Sequence, residues 1–228
     1  MSQYDSFLYE GALAINKERQ DHLASLNLPI DYKTVLEVGA GIGLHTPFFL
    51  ERGCTVTVTD GHPGNVEEIK RRLPEVESMV VDIEKPDAVA NLGPFNIVYC
   101  YGLLYHVGDP EAVIAQLAEV CNGQILLELI VNRDKKSTVE YLSDPVGYNQ
   151  SLNGPACRPS RAWIVEQLKK YFGYRYITAT QPRHGEFPTN WDEPHGNNSR
   201  AVFVGSKKRL SNDLLLAAVP QQQRKQPV

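Results

Sequence analysis

The feature that most constrains this chain is a regular alternation of strand-like and helix-like segments up to about residue 131. Runs rich in β-branched and apolar residues occupy 34–38, 54–59, 76–81, 95–101 and 124–131, and helix-like segments separate them. This alternation predicts an α/β fold with a doubly wound, mostly parallel sheet and helices on both faces. Ligands of such sheets bind beyond the carboxyl ends of the strands, so we expect the functional residues at that edge.

A glycine-rich loop follows the first predicted strand and contains Glu37, Gly39, Ala40, Gly41 and Gly43. Glycines let the backbone leave a strand in a tight turn and pass close to a ligand. The helix that follows directs its N-terminal amides at the same space. The loop therefore predicts a ligand site at the end of the first strand.

Acidic residues end the next two predicted strands. Asp60 lies about 20 residues after the first glycine of the loop, a spacing that suits a carboxylate accepting from ribose hydroxyls. Asp82 ends the following strand, where it is placed to accept from an adenine amino group, with Ile83 against the ring. The carboxyl ends of parallel strands meet at one edge, so Glu37, Asp60 and Asp82 should line one rim.

A dinucleotide site is the alternative interpretation of a glycine-rich loop in this position. The G-x-G-x-x-G fingerprint needs glycine or alanine at position 44, where this chain has Leu44. The carboxylate of Glu37, two residues before the first glycine, suits a cationic amino-acid group better than a pyrophosphate. The pattern therefore disfavours a dehydrogenase.

These motifs resemble those of the class I S-adenosylmethionine (SAM)-dependent methyltransferases over roughly residues 33–131. The loop is similar to their first motif, Asp60 and Asp82 to the acids after their second and third strands, and residues 95–110 to their fourth-strand motif. The resemblance implies SAM as cofactor and a seven-stranded Rossmann-like sheet whose final strand is antiparallel. It implies cofactor contacts at Glu37, Gly39, Ala40, Gly41, Gly43, Asp60, Gly61, Asp82, Ile83, Tyr101 and Gly102.

At finer grain, residues 102–106 and 158–163 resemble two groups of methyltransferases. One group modifies the wobble uridine of tRNA, and the other acts in sugar and polysaccharide pathways. The chain departs from the tRNA group because it lacks a long N-terminal extension, and its net charge is −4. Nucleic-acid surfaces are normally basic, so RNA is disfavoured and a small-molecule or sugar-like acceptor is expected.

The candidate catalytic residues are His106 and Tyr105, just beyond the fourth predicted strand. Methyl transfer from a sulfonium is an in-line displacement, so the protein chiefly aligns the acceptor and excludes water. His106 is placed to take the proton of an acceptor hydroxyl or amine, or alternatively to brace the loop. Tyr105 is placed to orient the acceptor oxygen, or to pack.

Two insertions at 132–160 and 181–199 are rich in Pro, Gly, Asn and aromatic residues and are expected on the acceptor side. A buried acid in an apolar strand, such as Glu128, needs a partner or a function. The expected acceptor contacts are Glu128, Arg158, Trp163, His184 and Trp191. The histidines and acids of the second insertion follow no metal-ligand spacing, so no metal is expected.

The length of 228 residues predicts one methyltransferase domain over residues 1–210. Residues 1–28 are expected to form a helical cap, with one helix over 5–26, and the polar residues 211–228 a flexible tail. The four cysteines match no zinc or disulfide spacing, and the chain shows no signal-peptide pattern or long apolar run. These features predict a cytoplasmic protein without a membrane partner.

Three functions stay open at this point. The first is SAM-dependent methylation of an oxygen, less favourably a nitrogen, of a small-molecule or sugar-like acceptor. The second is methylation of tRNA or another RNA. The third is a catalytically degenerate SAM-binding partner protein, against which the intact rim of Glu37, Asp60 and Asp82 argues without establishing turnover.

Overall fold

A computed structural model describes residues 4–147 and 149–227, so residues 1–3 of the predicted cap and residue 228 of the predicted tail lie outside it. The helices in the described residues are α1 (Asp5–Leu8), α2 (Glu10–Ser25), α3 (Thr46–Leu50), α4 (Pro63–Arg72), α5 (Pro110–Val120) and α6 (Arg161–Phe172), with a 3₁₀ turn at Leu104–His106. The strands are β1 (Thr34–Val38), β2 (Thr55–Asp60), β3 (Glu77–Val80), β4 (Phe95–Tyr101), β5 (Cys121–Ile130), β6 (Val139–Ser143), β7 (Pro155–Pro159), β8 (Tyr174–Thr178), β9 (Thr180–Gln181), β10 (Arg200–Ser206), β11 (Leu215–Leu216) and β12 (Arg224–Lys225).

One large sheet organises the fold, with the strand order β11-β8-β10-β5-β4-β1-β2-β3. The five adjacent strands β5, β4, β1, β2 and β3 pair in parallel, whereas β10 is antiparallel to both β5 and β8. The predicted doubly wound, mostly parallel α/β fold is therefore confirmed. Within the described residues the sheet has eight strands rather than the expected seven, because β11 adds an edge strand antiparallel to β8.

Each face of the sheet has its own apolar core. On one face, Leu117 of α5 and Leu168 of α6 belong to a buried cluster with the strands. On the other face, Leu23 of α2, Phe49 of α3 and Ile69 of α4 do the same. Strands covered on both faces by helices are apolar along most of their length, which explains the continuous apolar runs of β4 and β5 in the sequence.

The start of the chain differs from the prediction. The single helix expected over residues 5–26 is two helices, because Tyr9 between them has an extended backbone with φ −69° and ψ 154°. This break lets α1 turn across the carboxyl edge of the sheet, where Phe7 lies over the glycine loop. Within the described residues, none of the helices combines the length and the apolar composition that crossing a membrane requires. The cytoplasmic location stays a prediction.

The structure corrects the prediction of a flexible tail for residues 211–227. Leu215 is buried and pairs with Thr178 in the main sheet. Further along, Oε1 of the buried Gln223 accepts from Trp191 Nε1 at 2.6 Å. Glutamine is polar in composition, yet it can be buried when its amide is hydrogen-bonded, so the polar sequence concealed a packed segment.

In the residues that the structure describes, both predicted insertions are integrated into the fold. The first forms an antiparallel hairpin of β6 and β7. The second is held by Lys225 of β12, whose Nζ donates to the carbonyl oxygens of Pro182, His184 and Phe187 at 2.9, 2.9 and 2.5 Å. The segment predicted as a tail therefore fixes one wall of the site described next.

Candidate functional site

A cavity of about 370 Å³ lies at the carboxyl edge of the sheet, a size typical of small-molecule sites. The predicted residues that line it are Glu37, Gly39, Ala40, Gly41, Asp60, Gly61, Asp82, Ile83, Tyr101, Gly102, Tyr105, His106 and His184. Lining residues that the sequence analysis did not single out include Asn16, Arg19, His45, Glu84, Glu186 and Arg200.

The glycine loop borders this cavity in a conformation that excludes larger residues. Gly39 and Gly41 have φ angles of +68° and +57°, in the left-handed region that favours glycine. A Cβ on Gly39 would lie 2.8 Å from Leu103, and a Cβ on Gly41 would lie 2.6 Å from Phe7. The predicted contact at Gly43 is not brought to the cavity, and a Cβ at this position would face Ile69, Thr46 and Leu73.

Asp60 ends β2 with its carboxylate fixed by the protein. Oδ2 accepts from the Gly41 amide at 2.8 Å, and Oδ1 accepts from the His62 amide at 2.9 Å and from Asn65 Nδ2 at 3.0 Å. Burial raises the pKa of Asp60, and these hydrogen bonds oppose the increase. A carboxylate has roughly four acceptor positions, so this one can still accept from a ligand hydroxyl.

Glu37 ends β1 beside the loop and is buried. Its Oε2 accepts from Thr46 Oγ1 at 2.7 Å. Burial raises the pKa of Glu37 to about 7, with a smaller upward contribution from Asp60, while the Thr46 hydrogen bond opposes the increase. A ligand cation next to this carboxyl group would favour its ionised form. Glu37 is therefore suited to a positively charged ligand group.

Two stacked tyrosines of β4 form an inner wall. The rings of Tyr99 and Tyr101 have centroids 4.3 Å apart and an interplanar angle of 27°, and the Tyr99 hydroxyl contacts Nδ1 of His45. Burial lowers the pKa of His45 to about 3, so its ring is neutral. The Tyr101 hydroxyl is buried and has no hydrogen-bond partner among the described residues, so it is available to a ligand.

The rim beyond β2 and β3 places an apolar side chain next to a carboxylate. Ile83 is buried, and Oδ1 of the adjacent Asp82 accepts from the Glu84 amide at 3.2 Å. Leu152 of the first insertion closes this rim, since a Cβ on Gly61 would lie 3.0 Å from it. The rim therefore suits a planar ring that carries a donor group.

The 3₁₀ turn after β4 brings Tyr105 and His106 to the same cavity. Nδ1 of His106 contacts Oδ2 of Asp144, which belongs to the first insertion. Burial lowers the pKa of His106, whereas Asp144 raises it. The Tyr105 hydroxyl accepts from Nη2 of Arg200 at 3.2 Å. Each of the two candidate catalytic residues is thus held by a residue distant in sequence.

Glu128 does not line the cavity, so the predicted acceptor contact there is corrected. Its fully buried carboxylate accepts from Arg19 Nη2 at 2.7 Å and from Arg200 Nη1 at 3.1 Å. Nε of Arg200 also donates to Glu186 at 2.6 Å. The carboxylate of Glu128 is thus occupied by Arg19 and Arg200, and these two arginines, unlike Glu128, line the cavity.

Three other predicted acceptor contacts also lie away from the cavity. Nη1 of Arg158 donates to the Tyr105 carbonyl at 3.3 Å and so supports the 3₁₀ turn. Trp163 packs against the core that contains α5 and α6. Trp191 stacks under Arg161, with 3.8 Å between the guanidinium carbon and the ring centroid. A position in or near a predicted insertion was therefore not enough to predict that a side chain lines the cavity.

Several lining residues carry no local sequence motif. Arg19 and Arg200 meet through Glu128, from which they are 109 and 72 positions away. The buried acid in β5 was the available signal, because such a group requires cationic or hydrogen-bonding partners. Across residues 4–147 and 149–227, no three His, Cys, Asp or Glu side chains are grouped to hold a metal ion.

Parts of this chain are similar in sequence to known methyltransferases. Residues 35–124 match the family model described as a methyltransferase domain. The chain is 36% identical over 112 residues to the ubiquinone biosynthesis O-methyltransferase of Pseudomonas paraeruginosa, covering 46% of this chain and 47% of that protein. It is 24% identical over 212 residues to the tRNA U34 carboxymethyltransferase of Ruthia magnifica, covering 86% of this chain and 62% of that protein. The chain thus spans about half to three fifths of these relatives.

A solved structure with the same fold is the N-terminal domain of EvdMO1 with SAH bound. The TM-score is 0.64 at 20% identity, over 91% of this chain and 85% of that chain. At this identity the similarity shows the fold alone. Residues 35–124 thus match a methyltransferase domain, and the glycine-loop and strand-end motifs within them resemble those of the class I SAM-dependent methyltransferases.

Proposed function

We propose that this protein transfers a methyl group from SAM to an oxygen, less readily a nitrogen, of a small-molecule or sugar-like acceptor. The observation that carries the proposal is a single cavity that joins Glu37, Asp60 and the glycine loop with Tyr105 and His106. Relatives support the acceptor class, since several are ubiquinone biosynthesis O-methyltransferases and the N-terminal domain of EvdMO1 was also crystallised in the presence of SAH and D-fucose.

The cavity residues fit SAM in charge and hydrogen-bonding chemistry. Glu37 offers a carboxylate for the ammonium group, and the unpartnered Tyr101 hydroxyl offers a donor for the carboxylate group. Asp60 would accept from the ribose, and Asp82 with Ile83 would receive the adenine. The positive-φ glycines keep the loop free of side chains that would fill this space.

SAM, when bound, supplies a methyl group on a sulfonium that is already activated for displacement. The protein's own groups then align the acceptor and exclude water. Tyr105, fixed by Arg200, orients the acceptor oxygen, and His106 takes the hydroxyl proton as general base. The lowered pKa of His106 keeps its ring neutral at pH 7, in the form that accepts a proton.

The rest of the cavity wall favours an acceptor with several polar substituents. Asn16, Arg19, His184 and Glu186 contribute hydrogen-bonding groups, and Tyr9 contributes an aromatic ring. A few placed polar groups beside an aromatic surface fix the orientation of a small ligand. This composition supports a hydroxyl-bearing ring more than a long apolar chain.

Methylation of RNA is the second candidate, and the extent of the alignments favours it. Relatives named tRNA U34 carboxymethyltransferase cover 86% and 82% of this chain, against 46% and 53% for the O-methyltransferases. The charge distribution opposes it, because the net charge is −4 and the cavity arginines Arg19 and Arg200 are paired with Glu128. The third candidate function is that of a catalytically degenerate SAM-binding partner protein.

Calorimetry tests the cofactor site. We expect SAH to bind the wild-type protein, and Asp60→Ala to weaken binding roughly 10- to 100-fold because a charge-assisted hydrogen bond is lost. Asp31→Ala is the matched control, since Asp31 is exposed and precedes β1, at the opposite edge of the sheet. Binding of NADH in place of SAH, or unchanged SAH affinity in Asp60→Ala, would contradict the proposal.

A methyl-transfer screen tests the acceptor class. Tritiated-methyl SAM is incubated with the protein and with pools of hydroxylated small molecules, glycans and RNA. Label in a small-molecule or glycan pool supports the proposal. Label in RNA alone replaces it with the RNA function, and SAH binding without label in any pool favours the degenerate partner.

A further inference from the structure

We propose that Asp144 is the positioning residue of a His106–Asp144 pair, in which His106 removes the acceptor proton instead of merely bracing the loop. The inference rests on the proposed function and deepens it. Its basis is the contact between Oδ2 of Asp144 and Nδ1 of His106, with each side chain only 14% exposed. The residues are 38 positions apart, on the insertion and on the turn after β4.

Backbone and side-chain contacts fix both members of the pair. The Asp144 amide donates to the Gly154 carbonyl at 2.7 Å, which closes the end of the β6–β7 hairpin. Sγ of Cys157 in that hairpin donates to the Leu104 carbonyl at 3.2 Å, at the start of the turn that carries His106. The hairpin and the turn are therefore attached to each other next to the pair.

The carboxylate determines which ring nitrogen carries the proton. An ionised carboxylate only accepts hydrogen bonds, so Nδ1 of His106 must be the donor in this contact. In the neutral ring Nε2 then bears the free electron pair. No residue in the described parts of the chain hydrogen-bonds Nε2, and the His106 side chain lines the cavity. The pair thus leaves Nε2 free to act as the base.

The surrounding charges support the same role. The ionisable groups near His106 are Asp144, Arg158, Arg200 and Tyr105. Burial and the two arginines lower the His106 pKa, and Asp144 raises it. When Nε2 takes the hydroxyl proton, the ring becomes an imidazolium, and the adjacent Asp144 carboxylate stabilises that charge. A brace would need only the hydrogen bond and not the charge.

Nitrogen-15 NMR of the imidazole rings of the wild-type protein is the first test. The chain has six histidines, and His106→Gln identifies the His106 signals by their loss. We expect the neutral ring to carry its proton on Nδ1. A proton on Nε2 in the wild-type protein would overturn the proposal, and this test needs no variant of Asp144.

Asp144→Asn is the second test, because it removes the charge and retains a side chain of the same shape. We expect the His106 pKa to fall by about one unit or more, since an opposite charge next to the ring is lost. Asp134→Asn is the control, because Asp134 lies in the same insertion and accepts from Thr138 Oγ1 at 2.7 Å. An unchanged or higher His106 pKa in folded Asp144→Asn would contradict the proposal.

Turnover of an acceptor found in the screen gives the third readout. Asp144→Asn should lower kcat roughly 10- to 100-fold, within the usual range for general-base catalysis, and leave KM and SAH affinity unchanged. The acid limb of the pH profile should move down with the His106 pKa. A brace would leave that limb in place, and full turnover in His106→Gln would exclude a base there.

The failure of this proposal is distinguishable from the failure of the proposed function. SAH binding depends on Glu37 and Asp60, whereas the ring NMR depends on neither residue. SAH binding with an Nε2–H ring would refute the His106–Asp144 pair alone. Absence of SAH binding with an Nδ1–H ring would refute the methyltransferase function and leave the geometry of the pair intact.

Discussion

The half of the cavity that we propose for the cofactor and the half that we propose for the acceptor are built in different ways. The cofactor half comes from one stretch of chain, because Glu37, Asp60 and Asp82 follow or end three neighbouring strands. The acceptor half is assembled from distant segments, since it combines Arg19 of α2 with Arg200 of β10 and with the first insertion. A parallel sheet places its strand ends together automatically, whereas the acceptor half depends on individual long-range contacts.

Glu128 holds together two of the distant segments that form the acceptor half. Its carboxylate joins a helix from the start of the chain to the antiparallel strand near the end. The comparison therefore predicts that damage here affects the assembly of the whole domain, whereas damage in the cofactor half affects ligand binding more than stability.

The largest expected effect is that of Glu128→Gln on stability. Removing this charge leaves Arg19 and Arg200 buried without their shared partner, so the free energy of unfolding should fall by about 3–5 kcal/mol. Urea denaturation measures the change. Glu186→Gln is the control, because Glu186 is one third exposed and should lose about 1 kcal/mol or less. Equal losses in both variants would contradict the special contribution of the buried Glu128 to the stability of the acceptor half.

Glu37→Gln tests the half of the cavity that we propose for the cofactor, and its effect on stability depends on pH. Burial raises the pKa of Glu37 from 4.5 to about 7, so the folded state binds this proton more tightly than the unfolded state. Stability contributed by this group is therefore present below pH 4.5 and is lost as the pH rises to 7. At pH 8 Glu37→Gln should raise the free energy of unfolding by up to about 3 kcal/mol.

The same variant should bind SAM more weakly, because the carboxylate for the ammonium group is gone. Unfolding of both proteins at pH 4.5 and pH 8, together with calorimetry, measures the two effects. A gain in stability at pH 8 with reduced affinity would show that this half trades stability for ligand binding. If the difference in the free energy of unfolding between Glu37→Gln and the wild type were the same at both pH values, the assignment of a raised pKa to Glu37 would be contradicted.

The smallest expected effect is that of Lys225→Met on the acceptor side. The change removes the donor to the carbonyls of Pro182, His184 and Phe187, and should lower the free energy of unfolding by about 1–2 kcal/mol. Amide exchange should accelerate across 182–190, next to the cavity residues His184 and Glu186.

Arg224→Met is the matched control for Lys225→Met. Arg224 is the exposed neighbour in β12, and the main contacts of this position with β9 and its surroundings are made by the backbone. The amide exchange of Arg224→Met over the second insertion should match that of the wild type. Slow exchange of that insertion in Lys225→Met would show that other contacts hold the wall.

Sequence reasoning predicted which residues contact the cofactor, and the structure brings all of them except Gly43 to one cavity. The strand that ends at Val38 and the strand that ends at Asp60 are visible as β-branched runs, and the glycines between them require a turn with positive φ. These signals depend on residues within a few positions of each other. The same reasoning assigned Glu128, Arg158, Trp163 and Trp191 to the acceptor, and the structure places all four elsewhere.

Local sequence signals were enough to predict the sheet, the turn at its edge and the acids at the strand ends, because periodicity and strand ends are local properties. The contacts of Arg200 with Tyr105, of Asp144 with His106 and of residues 215–216 with the sheet are apparent only in the folded structure. These contacts join segments tens of positions apart, and nothing in either segment alone specifies its partner. They form only when the two apolar faces of the sheet are covered and the distant segments are brought together.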